Sequence, residues 1–71
     1  MDHNQLEQLG DQLRGIGHIR RQLVEQIFQE VNEGDQHTSK ELYSELSEIS
    51  DQAIDIIKRQ KQMFDEELKK M

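Results

Sequence analysis

Among its 71 residues the chain has no cysteine, no proline and no tryptophan, and its aromatics stop at one tyrosine and two phenylalanines. Without cysteine there is neither a disulfide framework nor a thiolate metal site. No apolar run is longer than a few residues, so neither a signal-peptide core nor a membrane span is expected, and the chain is expected to stay where it is made. Basic residues are also in short supply: nine Lys and Arg stand against fifteen Asp and Glu, a net charge of −6. That balance opposes phosphate backbones, and the basic residues form no stripe with interleaved aromatics, so nucleic acid is not an expected partner. Apolar residues make up 32% of the chain. With the glycines added this is still below the roughly 45–50% of an ordinary globular domain, so any core must be a thin seam.

Catalytic chemistry is missing as well. An active site needs a nucleophile or an acid–base group held in a water-excluded pocket, and a chain this short builds none. His3, His18 and His37 have no histidine partner one helical turn away, so neither a zinc site nor a nucleophile–base pair is indicated. The acidic residues lack the spacing of a calcium-binding loop. The expectation is a non-enzymatic protein with no cofactor and no metal.

What the chain does have is helical periodicity. Leu6, Leu9, Leu13, Ile16, Leu23 and Ile27 step by three and four towards Val31, with Arg20 standing where the stripe would continue. The polar stretch Asn32-Glu33-Gly34-Asp35-Gln36-His37 carries a glycine suited to ending a helix in the left-handed conformation. Thr38-Ser39-Lys40-Glu41 reads as a capping box that opens a second helix. Leu42, Leu46, Ile49, Ala53, Ile56 and Met63 follow at the same spacing, with Gln60 interrupting. The expected fold is all-α, one domain built as an antiparallel two-helix hairpin. Its first helix runs from about residue 4 to 33, its turn covers 34–38, and its second helix runs from about 39 to 70.

Folding about that turn pairs residues whose numbers add to about 73, which sets Val31 against Leu42, Ile27 against Leu46 and Arg20 against Ala53. Arg20 and Arg21 then lie near Asp51 and Asp55, where ion pairs would set register more than stability. Gly10, Gly15 and Gly17 each cost roughly 0.8–1.0 kcal/mol relative to alanine inside a helix. They are expected either to let the helices approach closely or to leave the first helix to order when a partner binds.

A hairpin has one mutual seam, and this sequence has apolar residues to spare. Ile54, Ile57, Phe64, Leu68 and Met71 trace a second stripe on the second helix, and Ile19, Val24 and Phe28 do something similar on the first. Tyr43, an apolar ring with a polar tip, suits an interface. The residues expected to bind a partner are therefore Ile19, Val24, Phe28, Tyr43, Ile54, Ile57, Phe64 and Leu68. The covering chain is either another protein or a second copy completing a homodimeric four-helix bundle, as a structural or regulatory adaptor.

Arg21-Gln22-Leu23 on the first helix, Gly34 at the turn, Leu42-Tyr43 and then Ala53-Ile54-Asp55-Ile56-Ile57 form a pattern over residues 20–60. In this it resembles the small E-type co-chaperones of type III secretion needle subunits. The first helix is about three residues shorter than that pattern, and the charged end from Lys58 to Met71 departs from it. The resemblance implies a cytoplasmic helical hairpin that binds a helical-repeat chaperone, the two together keeping a needle subunit monomeric until export. It also implies that Tyr43, Ala53, Ile54, Ile56 and Ile57 serve as core or partner-facing residues.

Overall fold

The structure, a computed structural model, describes residues 3–71; Met1 and Asp2 lie outside the described residues. Two helices account for nearly all of it: α1, His3–Asn32, and α2, Gln36–Lys69. They pack antiparallel into a rod with extents of 55 × 16 × 13 Å. The all-α hairpin expected from the periodicity is the fold, and no described helix is long and apolar enough to cross a membrane.

The chain reverses in three residues because two local devices meet there. Gly34 sits at φ +80°, in the left-handed region where a Cβ is penalised. That geometry lets the Gly34 N–H donate to the Val31 carbonyl at 3.1 Å and the Asp35 N–H to the Glu30 carbonyl at 3.0 Å, closing the open carbonyls of α1 in a Schellman motif. Asp35 then caps α2. Its Oδ1 accepts from the Thr38 N–H at 3.0 Å and its Oδ2 from the Thr38 hydroxyl at 2.7 Å.

The expected capping box therefore does not form: Thr38 is the third residue of the helix and a donor to the cap, not the cap itself. Because Asp35 already accepts these two bonds, α2 begins at Gln36 and the turn is shorter than 34–38. The shift moves the helices past each other. Arg20 Nε donates to Ser50 Oγ at 2.9 Å, a pair whose numbers add to 70 rather than 73. The pairing is thus displaced by about one helical turn from the expected one. Leu23 comes level with Leu46, Ile27 with Leu42, and Arg20 with Ser50 in place of Ala53.

The seam follows the seven-residue repeat of a coiled coil, whose positions are lettered a to g with a and d facing inward. In α1, a and d fall at Leu6, Leu9, Leu13, Ile16, Arg20, Leu23, Ile27 and Glu30; in α2 they fall at Ser39, Leu42, Leu46, Ile49, Ala53, Ile56, Gln60, Met63 and Glu67. Apart from Arg20, all of these are buried or half-buried. Leu9, Leu23 and Ile56 are the most deeply buried, at 4%, 8% and 8% exposure. Val31, expected in the seam opposite Leu42, is instead 60% exposed. The inward position is one residue earlier, at Glu30, because the heptad step after Ile27 is three and not four.

Charges are satisfied locally. Arg21 Nε lies 3.7 Å from Glu25, Arg14 4.0 Å from Asp11, and His37 Nε2 3.1 Å from Glu41, each pair within one helix. The expected pairing of Arg20 and Arg21 with Asp51 and Asp55 gives way to a hydroxyl partner for Arg20 and a same-helix partner for Arg21. Exposed pairs of this kind contribute about 0–1 kcal/mol, so neighbours one turn away win over partners on another helix. Helix α1 runs unbroken through its three glycines, and a Cβ added at Gly10, Gly15 or Gly17 would meet nothing within 4 Å. Close approach of α1 to α2 is therefore not their role.

Two outcomes follow. Gly34→Ala forces an L-residue into the left-handed region and is expected to lower unfolding stability by about 1–2 kcal/mol; Gly15→Ala fills open space in a helix and should raise it by about 1 kcal/mol. Urea melts of both variants at one protein concentration check the signs. The two Thr38 hydrogen bonds hold the Asp35 carboxyl below the usual aspartate range. Its contribution is therefore fully present above that range and lost as pH falls through the lowered folded value. Asp35→Asn, whose amide oxygen still caps, should show a flatter dependence of melting temperature on pH below about pH 4 than the parent chain.

Candidate protein-binding face

Once the seam is lettered, the unused apolar residues fall into place. In α2, Tyr43, Ile57 and Phe64 occupy position e, with Ser50 completing the series and Met71 following the helix end at the same spacing, and Ile54 and Leu68 occupy the adjoining position b. In α1, Gly10, Gly17, Val24 and Val31 occupy e, and Phe28 occupies b. Reversing the direction of one helix swaps its two flanks as seen by a neighbour, so in an antiparallel hairpin the two e flanks lie on the same side. These residues therefore form one face of the rod rather than two separate stripes.

That face is open to solvent. Phe28 is 70% exposed, Leu68 65%, Tyr43 64% and Ile57 50%, and Val24, Ile54 and Phe64 are each about half exposed. Monomers expose single hydrophobic residues routinely; here such residues recur on one side of the rod, interrupted by Ser47, Ser50 and the charged residues at position b, which makes this side the candidate for an interaction surface. The opposite face, built from positions g and c, is made of Gln5, Gln8, Gln12, Gln22, Gln26 and Gln29 in α1 and of Glu45, Glu48, Gln52, Asp55, Arg59 and Gln62 in α2. An apolar set covering a, d and e is the pattern of a helix that faces a bundle core; a and d alone would make a two-stranded coiled coil.

The structure brings seven of the eight expected partner-binding residues together on this face: Val24, Phe28, Tyr43, Ile54, Ile57, Phe64 and Leu68. Ile19 is separated from them. It precedes the seam residue Arg20 and so sits on the g flank, a lone exposed apolar side chain among the glutamines. Val31 belongs to the face, and so do Gly10 and Gly17, where an added Cβ would meet nothing within 4 Å. The spacing of seven from Gly10 through Gly17 and Val24 to Val31 is the signal that identifies them.

The molecule is an extended rod with more surface than a globule of its size. The Cα radius of gyration is 16.4 Å, against about 11 Å for a compact domain of this length. The accessible surface is 5890 Å², against about 4,600 Å² for a compact monomer of this mass. Among the described residues no group of three His, Cys, Asp or Glu is placed to hold a metal ion.

Compared with protein-family models, curated proteins and solved structures, the chain finds no match.

Proposed function

We propose that this chain is a non-enzymatic protein-binding module, a helical hairpin whose e-flank face is covered by the helices of another polypeptide. The observation that carries this reading is the apolar face itself: one side of the rod is lined with large exposed residues at bundle-core positions while the other is glutamine and charge. Burying such a face is worth roughly 25 cal/mol for each Å² of apolar surface removed from water. Binding needs no chemistry beyond that burial. A partner that would otherwise self-assemble through its own amphipathic helices is held back by mass action, since a complex at a hundredfold excess over Kd is favoured by about 2.7 kcal/mol.

The sharpest form of the proposal is a cytoplasmic co-chaperone of type III secretion, which binds a helical-repeat chaperone and helps to keep a needle subunit monomeric. What supports it is the hairpin fold and the division of labour within the resembling segment. In Ala53-Ile54-Asp55-Ile56-Ile57, Ala53 and Ile56 occupy the seam while Ile54 and Ile57 point out to the face, with Tyr43 on the same side. One element of sequence thus serves folding and recognition together.

Replacing Ile57→Asp and Phe64→Asp together removes two large apolar groups from the face and leaves the seam intact. The double variant should keep its helical circular dichroism and lose binding by at least about a hundredfold, as the burial of two such side chains implies. The direct assay is capture, on immobilised hairpin, of the purified helical-repeat chaperone and needle subunit encoded in the same genome. Capture undiminished by the double substitution refutes the face.

A further inference from the structure

Resting on the reading of the e-flank as a binding face, we infer that its occupant when no other protein is bound is a second copy of this chain. The second copy stacks with its turn at the same end, each α1 lying over the other copy's α2. The size fits. A face 55 Å long and 16 Å wide offers about 900 Å² per copy, or about 1,800 Å² in total, within the roughly 1,200–2,000 Å² buried by stable interfaces.

Shape points the same way. In the half of the face away from the turn α1 carries Gly10 and Gly17 at position e and the charged Glu7 and Arg14 at position b, while α2 carries Ile54 and Ile57 at the same level. Nothing lies within 4 Å of where a Cβ would stand on either glycine, so this side of α1 is open to an incoming side chain. Near the turn Val24 on α1 lies beside Ser47 on α2, and Phe28 comes level with Tyr43. A copy stacked turn to turn lays its Ile54 and Ile57 over the glycines of α1 and brings its Phe28 level with Tyr43, and the two-fold axis makes each contact twice.

Charge chooses between the two possible stackings. With the turns together, Glu7 on the rim of α1 comes level with the second copy's Lys61, and Asp11 comes level with the second copy's Lys58. With the turns apart, α1 lies on the other copy's α1 and Arg14 comes level with Arg21, twice over. Rim charges act on orientation more than on affinity, and here they oppose the second arrangement.

The absence of cysteine makes the test direct. Light scattering on the full chain over a hundredfold range of concentration should give twice 8.4 kDa. A spin label on Glu33→Cys, at the exposed turn, should report a separation of about 15–25 Å between copies, set by interaxial distances of 8–10 Å. A separation close to the 55 Å length of the rod overturns the arrangement. Gly17→Leu puts bulk where the second copy's isoleucines would lie and should weaken self-association at least tenfold, whereas Gly15→Leu, two residues away on the opposite face, should leave it unchanged; equal effects overturn the proposal. So does a chain that stays monomeric throughout. In that case the capture assay separates the two readings: if Ile57→Asp abolishes capture, the binding face stands without the second copy, and if capture and melting are both indifferent to Ile57→Asp, the face falls too.

Discussion

The left-handed backbone of Gly34 and the carboxylate of Asp35 together determine how far one helix has slid along the other when the chain reverses. Both act through hydrogen bonds to groups that a helix end leaves open: the carbonyls of Glu30 and Val31 on one side, the Thr38 amide on the other. A two-helix layer has no third element to correct a slip, so this junction decides which residues are opposite each other along the whole rod. A turn even one residue longer would rotate α2 by about 100° and carry its apolar seam off the axis of contact.

With the phase set there, the division of the apolar residues follows. Positions a and d close the seam, and what remains falls on one flank, because the e positions of antiparallel helices lie on the same side. The seam is thin, with Leu9, Leu23 and Ile56 its deepest residues and polar Arg20, Gln60 and Glu30 at inward positions. A polar residue at an inward position lowers stability and raises the cost of wrong registers. The hydrogen bond from Arg20 to Ser50 is the visible case, linking the two helices in the observed alignment.

Most of the architecture was legible in the sequence, and the failures have physical causes. The apolar steps of three and four identify every seam residue from Leu6 to Ile27 and from Leu42 to Met63, since in a chain this polar no other set of positions can be buried. Where two good caps compete, spacing alone does not decide. Thr38 with Glu41 makes a plausible box, but Asp35 directly follows the glycine that ends α1 and takes both of Thr38's donors, so the helix starts earlier. That misplacement carries the pairing with it by one turn. Val31 reads as a seam residue, and Ile19 as a neighbour of Val24 and Phe28, for a related reason: a stripe counted in steps of three and four does not distinguish the two flanks beside the seam, and a seven-residue count does. Cross-helix ion pairs were expected of Arg21 because its charge and that of Asp51 are complementary, yet Glu25 is one turn away on the same helix and costs less side-chain ordering to reach.

The contrast between the apolar face and the glutamine face bears on how large any assembly can grow. A rod adhesive on both sides would add units without limit, since each new one would present a fresh surface. Under the proposed binding the valency is one, because glutamines and scattered charges on the far side offer long, well-hydrated side chains with much rotamer entropy to lose and little oil to hide. Any association through the apolar side uses up the sole point of attachment, so growth terminates at a closed complex and not at a fibre. Ile19, alone on the inert side, is too small a foothold to change that.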